Sequence, residues 1–227
     1  MFFDPMYFLI IAPAVLLGLW AQLRIRTTYA AAQQIAAPLS GAAAARYILD
    51  SAGLQNVSIE QIPGHLSDHY DPREKVLRLS PEVYQSRTLA AVGIAAHESG
   101  HALQDAHAYA PMLVRNAAVP VAGIGSNIGI LLIILGAILH MNVMLIWLGI
   151  GLFGAVVFFQ LVNLPVEFNA SSQAKAQLVQ LGILNEEQLG YVKKVLSAAA
   201  LTYVAATLQA VLTLLYFIMR FTGGNRD

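Results

Sequence analysis

The stretch that decides the fold class runs from Asn116 to Val166 and reads NAAVPVAGIGSNIGILLIILGAILHMNVMLIWLGIGLFGAVVFFQLVNLPV. It contains no Asp, Glu, Lys or Arg. A helix needs about 20 apolar residues to cross a hydrocarbon core of about 30 Å, so this stretch is long enough to cross twice as a helical hairpin. The sequence around His140 is the predicted turn between spans at 119–139 and 143–163.

Two further uncharged runs extend this pattern. One is centred on 200–219, between Lys194 and Arg220, and the other covers 6–23. The run at 6–23 is interpreted as a retained anchor rather than a signal peptide, because it lacks a basic leading region and a small-residue cleavage site. The sequence therefore predicts a mainly α-helical, polytopic integral membrane protein with about four transmembrane helices.

The composition narrows the classes of partner and of metal site. The chain is 57% hydrophobic and 11% charged, against about 25% charged residues in ordinary soluble domains. Lys+Arg and Asp+Glu are balanced at 13 each, so the predicted partner is the lipid bilayer and not a nucleic acid. With no cysteine, only histidine and carboxylate remain as plausible ligands for a zinc ion.

The basic residues predict an orientation. Most lie between the first and second or between the third and fourth predicted spans: Arg24, Arg26, Arg46, Arg73, Lys75, Arg78, Arg87, Arg115, Lys175, Lys193 and Lys194. Basic residues near membrane segments favour the cytoplasmic side. We therefore expect the N-terminus outside a bacterial-type plasma membrane and the long charged segment 24–115 facing the cytoplasm.

Segment 24–115 is long enough to form a membrane-adjacent domain. Ser40 is a suitable N-cap for a helix over 41–51. Apolar and polar residues alternate at 57–62 and again at 75–79, which indicates strands in a small β-hairpin or sheet edge. Zinc peptidases use such an edge to hold an extended substrate by strand addition.

A long helix is predicted to begin at Pro81 and to reach beyond Gln104. It carries His97-Glu98-Ser99-Gly100-His101, an H-E-x-x-H motif. Residues four apart share one face of a helix, so His97 and His101 can bind one Zn²⁺, and Glu98 can then act as the general base on the zinc-bound water. We expect this helix to be buried at the centre of the domain. Burial within the bilayer, as in an intramembrane protease, is the alternative.

Several ordered motifs resemble a known family. They are Gly64-His65-Leu66-Ser67-Asp68-His69-Tyr70-Asp71-Pro72, Val76-Leu77-Arg78-Leu79-Ser80, Ala95-Ala96-His97-Glu98-Ser99-Gly100-His101-Ala102-Leu103-Gln104 and Pro165-Val166-Glu167-Phe168-Asn169-Ala170-Ser171. Over nearly the whole chain, the sequence resembles the membrane-bound neutral zinc metallopeptidases (YugP-like), which are distantly similar to the HtpX-type membrane proteases. The resemblance implies a zinc-dependent peptidase of gluzincin type.

The resemblance also implies the third zinc ligand. In those proteases a glutamate from a later helix completes the site, and Glu167 occupies the matching position. Two departures stand out: Asn169 replaces the usual aspartate, and the sequence Ser172-Gln173-Ala174-Lys175 replaces a basic pair. If that aspartate orients a zinc-binding histidine, Asn169 would weaken metal affinity or activity.

The chain also supports Glu167 on physical grounds. It is the first charged residue after the predicted transmembrane hairpin, which returns the chain to the side where His97 and His101 lie. The rival ligand is His107, at metzincin spacing from His101, but that motif needs a glycine where this chain has Gln104. We therefore predict His97, His101 and Glu167 as the metal ligands.

Other candidate residues keep more than one interpretation. A polar cluster of His65, Asp68, His69 and Tyr70 can supply a transition-state hydrogen-bond donor or simply shape a turn. Glycines in the spans suggest close helix packing: Gly125 and Gly129 in the second span, and Gly151 with Ala155 in the third. Homo-oligomer formation stays open.

The predicted organisation has five segments: an anchor helix at 6–23, a zincin-like domain at 24–115, a transmembrane hairpin at 116–166, a helical segment at 167–197 that supplies the third ligand, and a transmembrane helix at 198–220. The predicted function is a zinc metalloendopeptidase that hydrolyses membrane-associated or cytoplasmic-surface proteins or peptides, with Glu98 as general base. The alternative is a membrane scaffold or adaptor with a structural or weakened zinc site.

Overall fold

The computed structural model of the chain describes residues 4–65, 67–139 and 142–222. The elements follow in the order α1 (Pro5–Gln33), α2 (Gly41–Ser51), β1 (Ser58–Gln61), β2 (His69–Asp71), β3 (Val76–Leu79), α3 (Pro81–Gln85), α4 (Leu89–Ala106), α5 (Ala110–Ile124), α6 (Ile130–Ile138), α7 (Val143–Gln180) and α8 (Glu186–Thr222). A π-helical turn, Gly125–Gly129, joins α5 to α6. The prediction of a mainly helical fold with a small sheet is confirmed. The predicted turn at His140 lies outside the described residues.

Within the described part of the chain, four helical stretches are long and apolar enough to cross a membrane: α1, the continuous run Ala110–Ile138, α7 and α8. Three of them contain a span predicted from the sequence, and the second covers the predicted span 119–139 up to Ile138. Two of them continue well past their apolar runs. α1 extends to Gln33, and α7 passes through Pro165 without a break and ends at Gln180.

The chain divides into two compact units. The first comprises Met1–Trp20, Leu113–Leu164 and Leu201–Asp227. In this unit the π-helical turn packs closely on α7, because a Cβ atom added at Gly125 would lie 2.3 Å from the Leu152 carbonyl oxygen. The expected glycine face is therefore used for helix packing within the chain. Its partner, however, is Gly149 and not Gly151, which has no neighbour within 4 Å of an added Cβ.

The second unit comprises Ala21–Met112 and Pro165–Ala200. Its sheet has the order β1-β3-β2, with β1 parallel and β2 antiparallel to β3. The apolar residues Leu77 and Leu79 of β3 are fully buried, together with Leu49 of α2 and Val83 of α3. β2 and β3 pack against α4, whereas β1 packs against α2.

The pairing of the strands differs from a hairpin between the two segments predicted as strands. The two segments predicted as strands do form β1 and β3, but they run parallel. The hairpin is instead made by β2 and β3, which are joined by a tight turn with Lys75 at φ 54°. β2 has only three residues and includes His69 and Asp71. The alternation of apolar and polar residues over this segment is too short to predict a strand.

The single helix predicted from Pro81 to beyond Gln104 is wrong. The chain leaves the helical conformation after α3, with Ser86 in extended conformation. Backbone hydrogen bonds to the segment after α1 hold this break: Ala37 N–H donates to Arg87 O over 2.9 Å and Leu89 N–H donates to Ile35 O over 3.0 Å. Thr88 then caps α4 by accepting a hydrogen bond from the Ala91 N–H.

α4 is the central helix of this second unit. Its side chains Leu89, Val92 and Leu103 lie in a cluster with Ile48 of α2, while α7 and α8 contribute Leu178 and Val192. A helix buried on most sides is apolar around most of its circumference. The few polar side chains that α4 buries therefore need specific partners.

Candidate metal centre

Two histidines project from one face of α4. His97 and His101 lie one turn apart, with ring centroids separated by 4.9 Å and the ring planes at 80°. His101 is buried, with 7% of its surface exposed, and His97 is half-buried. This is the arrangement expected from helix geometry for residues at i and i+4.

A carboxylate from α7 meets these two rings. Glu167 is buried, and its Oε2 lies 3.2 Å from His97 Nε2 and 3.8 Å from His101 Nε2. Candidate ligand atoms of the three side chains all lie within 4.8 Å of one another. In the described part of the chain, these are the residues with the arrangement needed to hold a metal ion. His97 and Glu167 are 70 positions apart in sequence.

The donors and their spacing fit zinc. A tetrahedral zinc ion holds imidazole nitrogens and carboxylate oxygens at about 2.0–2.2 Å, so its ligand atoms lie about 3.3–3.6 Å apart. The two separations from Glu167 Oε2, 3.2 and 3.8 Å, are close to this range. Two nitrogens and one oxygen form a ligand set found at catalytic zinc sites, which leave a fourth position for water.

The approach of α4 to α7 depends on Gly100. A Cβ atom at this position would lie 2.6 Å from the Ala170 carbonyl oxygen and 3.1 Å from its carbonyl carbon. The backbone of Gly100, one residue before His101, therefore packs directly on the backbone of Ala170, three residues after Glu167. The glycine inside the H-E-x-x-H motif thus allows the third candidate ligand, the carboxylate of Glu167, to reach the two imidazoles.

Both histidines have a second hydrogen-bond partner on the ring nitrogen that faces away from the site. Ser171 Oγ lies 3.1 Å from His97 Nδ1, and Gln104 Oε1 lies 2.9 Å from His101 Nδ1. Such partners fix the orientation of metal-binding imidazoles. The sequence alone did not predict a role for either residue. Helical spacing is nevertheless a signal for both, because Gln104 follows His101 by three residues and Ser171 follows Glu167 by four.

Glu98 lies next to these ligands and has a perturbed acidity. Burial raises the pKa of the Glu98 carboxyl. The imidazoles of His97 and His101 oppose this effect, and the carboxylates of Glu167 and Asp68 reinforce it. For His101, burial alone would lower the imidazole pKa, but a hydrogen bond with Glu167 and the charge of Glu98 outweigh it and raise that pKa.

His107, the rival ligand, lies away from this group. It is the C-cap residue of α4 and is exposed. α4 is helical from Leu89 to Ala106 without a break, because Gln104 stands where a metzincin has its helix-breaking glycine. The continuous helix leaves His107 outside the group formed by His97, His101 and Glu167.

The polar cluster from the β2 region makes its hydrogen bonds within the domain. Tyr70 donates to Asp105 Oδ2 over 2.6 Å, and Asp68 Oδ1 accepts from the Ser80 N–H over 2.7 Å. His65 Nδ1 lies 3.0 Å from Glu82 Oε2, and His69 Nδ1 lies 2.9 Å from the Ser67 carbonyl. These contacts support a structural role in shaping the loop before β2.

Comparison with known proteins places this chain in a family. A family model described as "Putative neutral zinc metallopeptidase" matches residues 7–222. The chain belongs to this family. It is also 45% identical over 225 residues to the "Putative membrane protease YugP" of Bacillus subtilis (strain 168), covering 98% of this chain and 100% of that protein. No solved structure matches the chain at a significant level.

Asn169, which stands where the resemblance leads us to expect aspartate, has a defined set of hydrogen-bond partners. Asn169 Oδ1 contacts neither histidine. It accepts hydrogen bonds from the side-chain amides of Gln104, over 3.0 Å, and Gln173, over 2.7 Å. An asparagine oxygen can accept both hydrogen bonds, as an aspartate oxygen would.

Gly100→Ala tests the close approach of α4 and α7. The added methyl group meets a backbone carbonyl that cannot rotate away, so we expect α7 to shift and zinc affinity to fall at least about tenfold, with a loss of about 1–3 kcal/mol in the free energy of unfolding. Competition with a zinc chelator and thermal unfolding measure the two effects. Gly190→Ala is the matched control, because an added Cβ there meets nothing within 4 Å. Unchanged zinc affinity in Gly100→Ala would contradict the prediction.

Metal analysis of the purified protein tests the ligand set. We expect about one zinc ion per chain in the wild type and in His107→Ala, and loss of that zinc in Glu167→Ala, since a carboxylate ligand is removed from a three-residue site. Inductively coupled plasma mass spectrometry after dialysis gives the stoichiometry. Loss of zinc in His107→Ala with retention in Glu167→Ala would replace the proposed ligand set by its rival.

Proposed function

We propose that this protein is a membrane-bound zinc metalloendopeptidase in which His97, His101 and Glu167 bind the metal ion and Glu98 is the catalytic base. The proposal rests on one observation above the others. Two elements far apart in sequence, α4 and α7, bring two imidazoles and one carboxylate within 4.8 Å of one another. Membership of a family described as zinc metallopeptidases supports the same activity.

The chemistry divides between the metal and the chain. A bound zinc ion lowers the pKa of water to about 7 and polarises the scissile carbonyl. Glu98 takes a proton from the attacking water as its oxygen bonds to the carbonyl carbon. The same carboxyl then gives that proton to the amide nitrogen as the C–N bond breaks. The partly buried position of Glu98 suits it to exchange a proton in this way.

The two histidines need fixed tautomers for this reaction. Each must present an unprotonated Nε2 to the metal, so its proton must lie on Nδ1. Gln104 and Ser171 offer oxygen atoms next to the Nδ1 atoms of His101 and His97, respectively. These contacts support the metal-binding tautomer in both rings.

The sheet offers a place for an extended substrate. β3 is paired on both sides, so β1 and β2 form the two edges. β2 packs against α4, the helix that carries the metal ligands, whereas β1 packs against α2. We propose that a peptide adds to the free edge of β2, in the mode by which extended peptides join exposed strands.

The membrane setting suggests the class of substrate. Glu167 stands on α7, the same continuous helix that carries the apolar run 143–163. The basic residues on either side of the predicted hairpin favour the cytoplasmic side for this end of α7. We propose that the site faces the cytoplasm and acts on membrane proteins near their cytoplasmic ends, or on peptides at that surface.

Glu98→Gln separates a peptidase from a membrane scaffold with a structural zinc site. We expect hydrolysis of unfolded casein to fall about 10²- to 10⁴-fold because the general base is lost. Zinc content should be unchanged, because Glu98 is not a ligand. The substitution keeps the size of the side chain. Equal hydrolysis by wild type and variant would show that any activity comes from elsewhere and would favour the scaffold.

Cysteine labelling tests the proposed orientation of the second unit. The chain has no cysteine, so Gln55→Cys introduces a unique thiol at an exposed position of the second unit. We expect a membrane-impermeant maleimide to label it in inverted vesicles and not in intact cells. Leu131→Cys, exposed on apolar α6, is the control that should stay unlabelled in both. Labelling of Gln55→Cys in intact cells would reverse the orientation.

A further inference from the structure

Gln104 makes an unusual set of contacts for a fully buried amide. It lies in the last turn of α4 with 0% of its surface exposed. Its Oε1 lies 2.9 Å from His101 Nδ1. Its Nε2 donates to the Val166 carbonyl over 2.7 Å and to Asn169 Oδ1 over 3.0 Å. One side chain thus contacts a proposed metal ligand on α4 and the segment of α7 on both sides of Glu167.

These contacts fix which way the amide points. Both neighbours of Nε2 are acceptors, because a backbone carbonyl has no proton to donate and Asn169 Oδ1 already accepts from Gln173. The opposite orientation would place the Gln104 oxygen against two other oxygens. The oxygen must therefore face His101 Nδ1, and that nitrogen must carry the proton.

We propose that Gln104 is a positioning residue that sets the tautomer of His101 and ties it to the placement of Glu167. A proton on Nδ1 leaves the Nε2 lone pair free for the metal. The hydrogen bond to the Val166 carbonyl holds the backbone one residue before Glu167. Gln104 therefore couples the second and third ligands through a single rigid group. This inference rests on the proposed metal site.

Asn169 extends this network toward the surface of the second unit. It is held by Gln104 and Gln173, so its oxygen faces two amide donors. Because Gln104 keeps the Val166 carbonyl as a second acceptor, loss of the Asn169 oxygen should loosen the network without releasing it. Asparagine at position 169 supplies one of the two acceptor oxygens that Gln104 uses.

The test compares zinc affinity and cobalt spectra across matched variants of the full chain in detergent. Gln104→Leu keeps the volume and removes every hydrogen bond, so we expect zinc affinity to fall about 10- to 100-fold. Gln104→Glu keeps an acceptor for His101 but places a carboxylate oxygen against the Val166 carbonyl oxygen and Asn169 Oδ1. We therefore expect a similar loss of zinc affinity. Asn169→Leu should give a smaller loss, and Asn169→Asp, which keeps the acceptor, should bind zinc like the wild type.

One further measurement and one control variant separate positioning from general packing. Co²⁺ substituted for zinc reports ligand geometry through its visible absorption, which we expect to change in Gln104→Leu. Ser99→Ala is the control: Ser99 is also buried in α4, but its hydroxyl donates to the Ala95 carbonyl of its own helix. It should leave both zinc affinity and the cobalt spectrum unchanged.

The outcomes are distinguishable. If Gln104→Leu and Gln104→Glu both have a zinc affinity within twofold of the wild type, the proposed role of Gln104 is overturned. In that case, zinc binding and hydrolysis by the wild type would still support the proposed function. A wild-type protein that binds no zinc would overturn both proposals. If Gln104→Leu does not fold, Asn169→Leu decides: an unchanged zinc affinity and cobalt spectrum overturn the coupling, and a weakened affinity supports it.

Discussion

The contact of Gly100 with the backbone of Ala170 is the constraint on which the arrangement of His97, His101 and Glu167 depends. Side chains usually keep packed helices 8–10 Å apart, whereas here the two backbones touch and a single methyl group would not fit. The short separation lets Glu167 reach His97 and His101 in spite of the limited length of its side chain. A larger residue at position 100 would hold the carboxylate away from the imidazoles.

The surrounding structure restrains both helices near that contact. α4 lies within an apolar core, so its rotation is fixed by side chains such as Val92 and Leu103. Buried polar groups complete the restraint, because each must keep a hydrogen-bond partner once it is removed from water. Gln104 meets this requirement by bonding across from α4 to α7. Stability and function thus use the same polar contacts, since the groups that satisfy buried amides also orient the candidate ligands.

Local patterns predicted some parts of this fold well and others poorly. The apolar spans, the α2 helix with its Ser40 cap and the strands around Val57 and Val76 follow from patterning over adjacent residues. The break between α3 and α4 does not, because it is held by backbone hydrogen bonds with Ile35 and Ala37, about 50 residues earlier in the chain. The parallel pairing of β1 with β3 escaped prediction for the same reason: alternation marks a strand but not its partner.

The sequence by itself determined the helical membrane class, the chemistry of the H-E-x-x-H face and the candidates for a third ligand, because these depend on residue type and on spacing within one element. Only the tertiary structure decided that Glu167, and not His107, lies against the two imidazoles. It also decided that Ser171 and Gln104 are their partners. The physical reason is that an orienting contact requires atoms about 3 Å apart, and when those atoms come from α4 and α7 that separation is set by packing between distant segments.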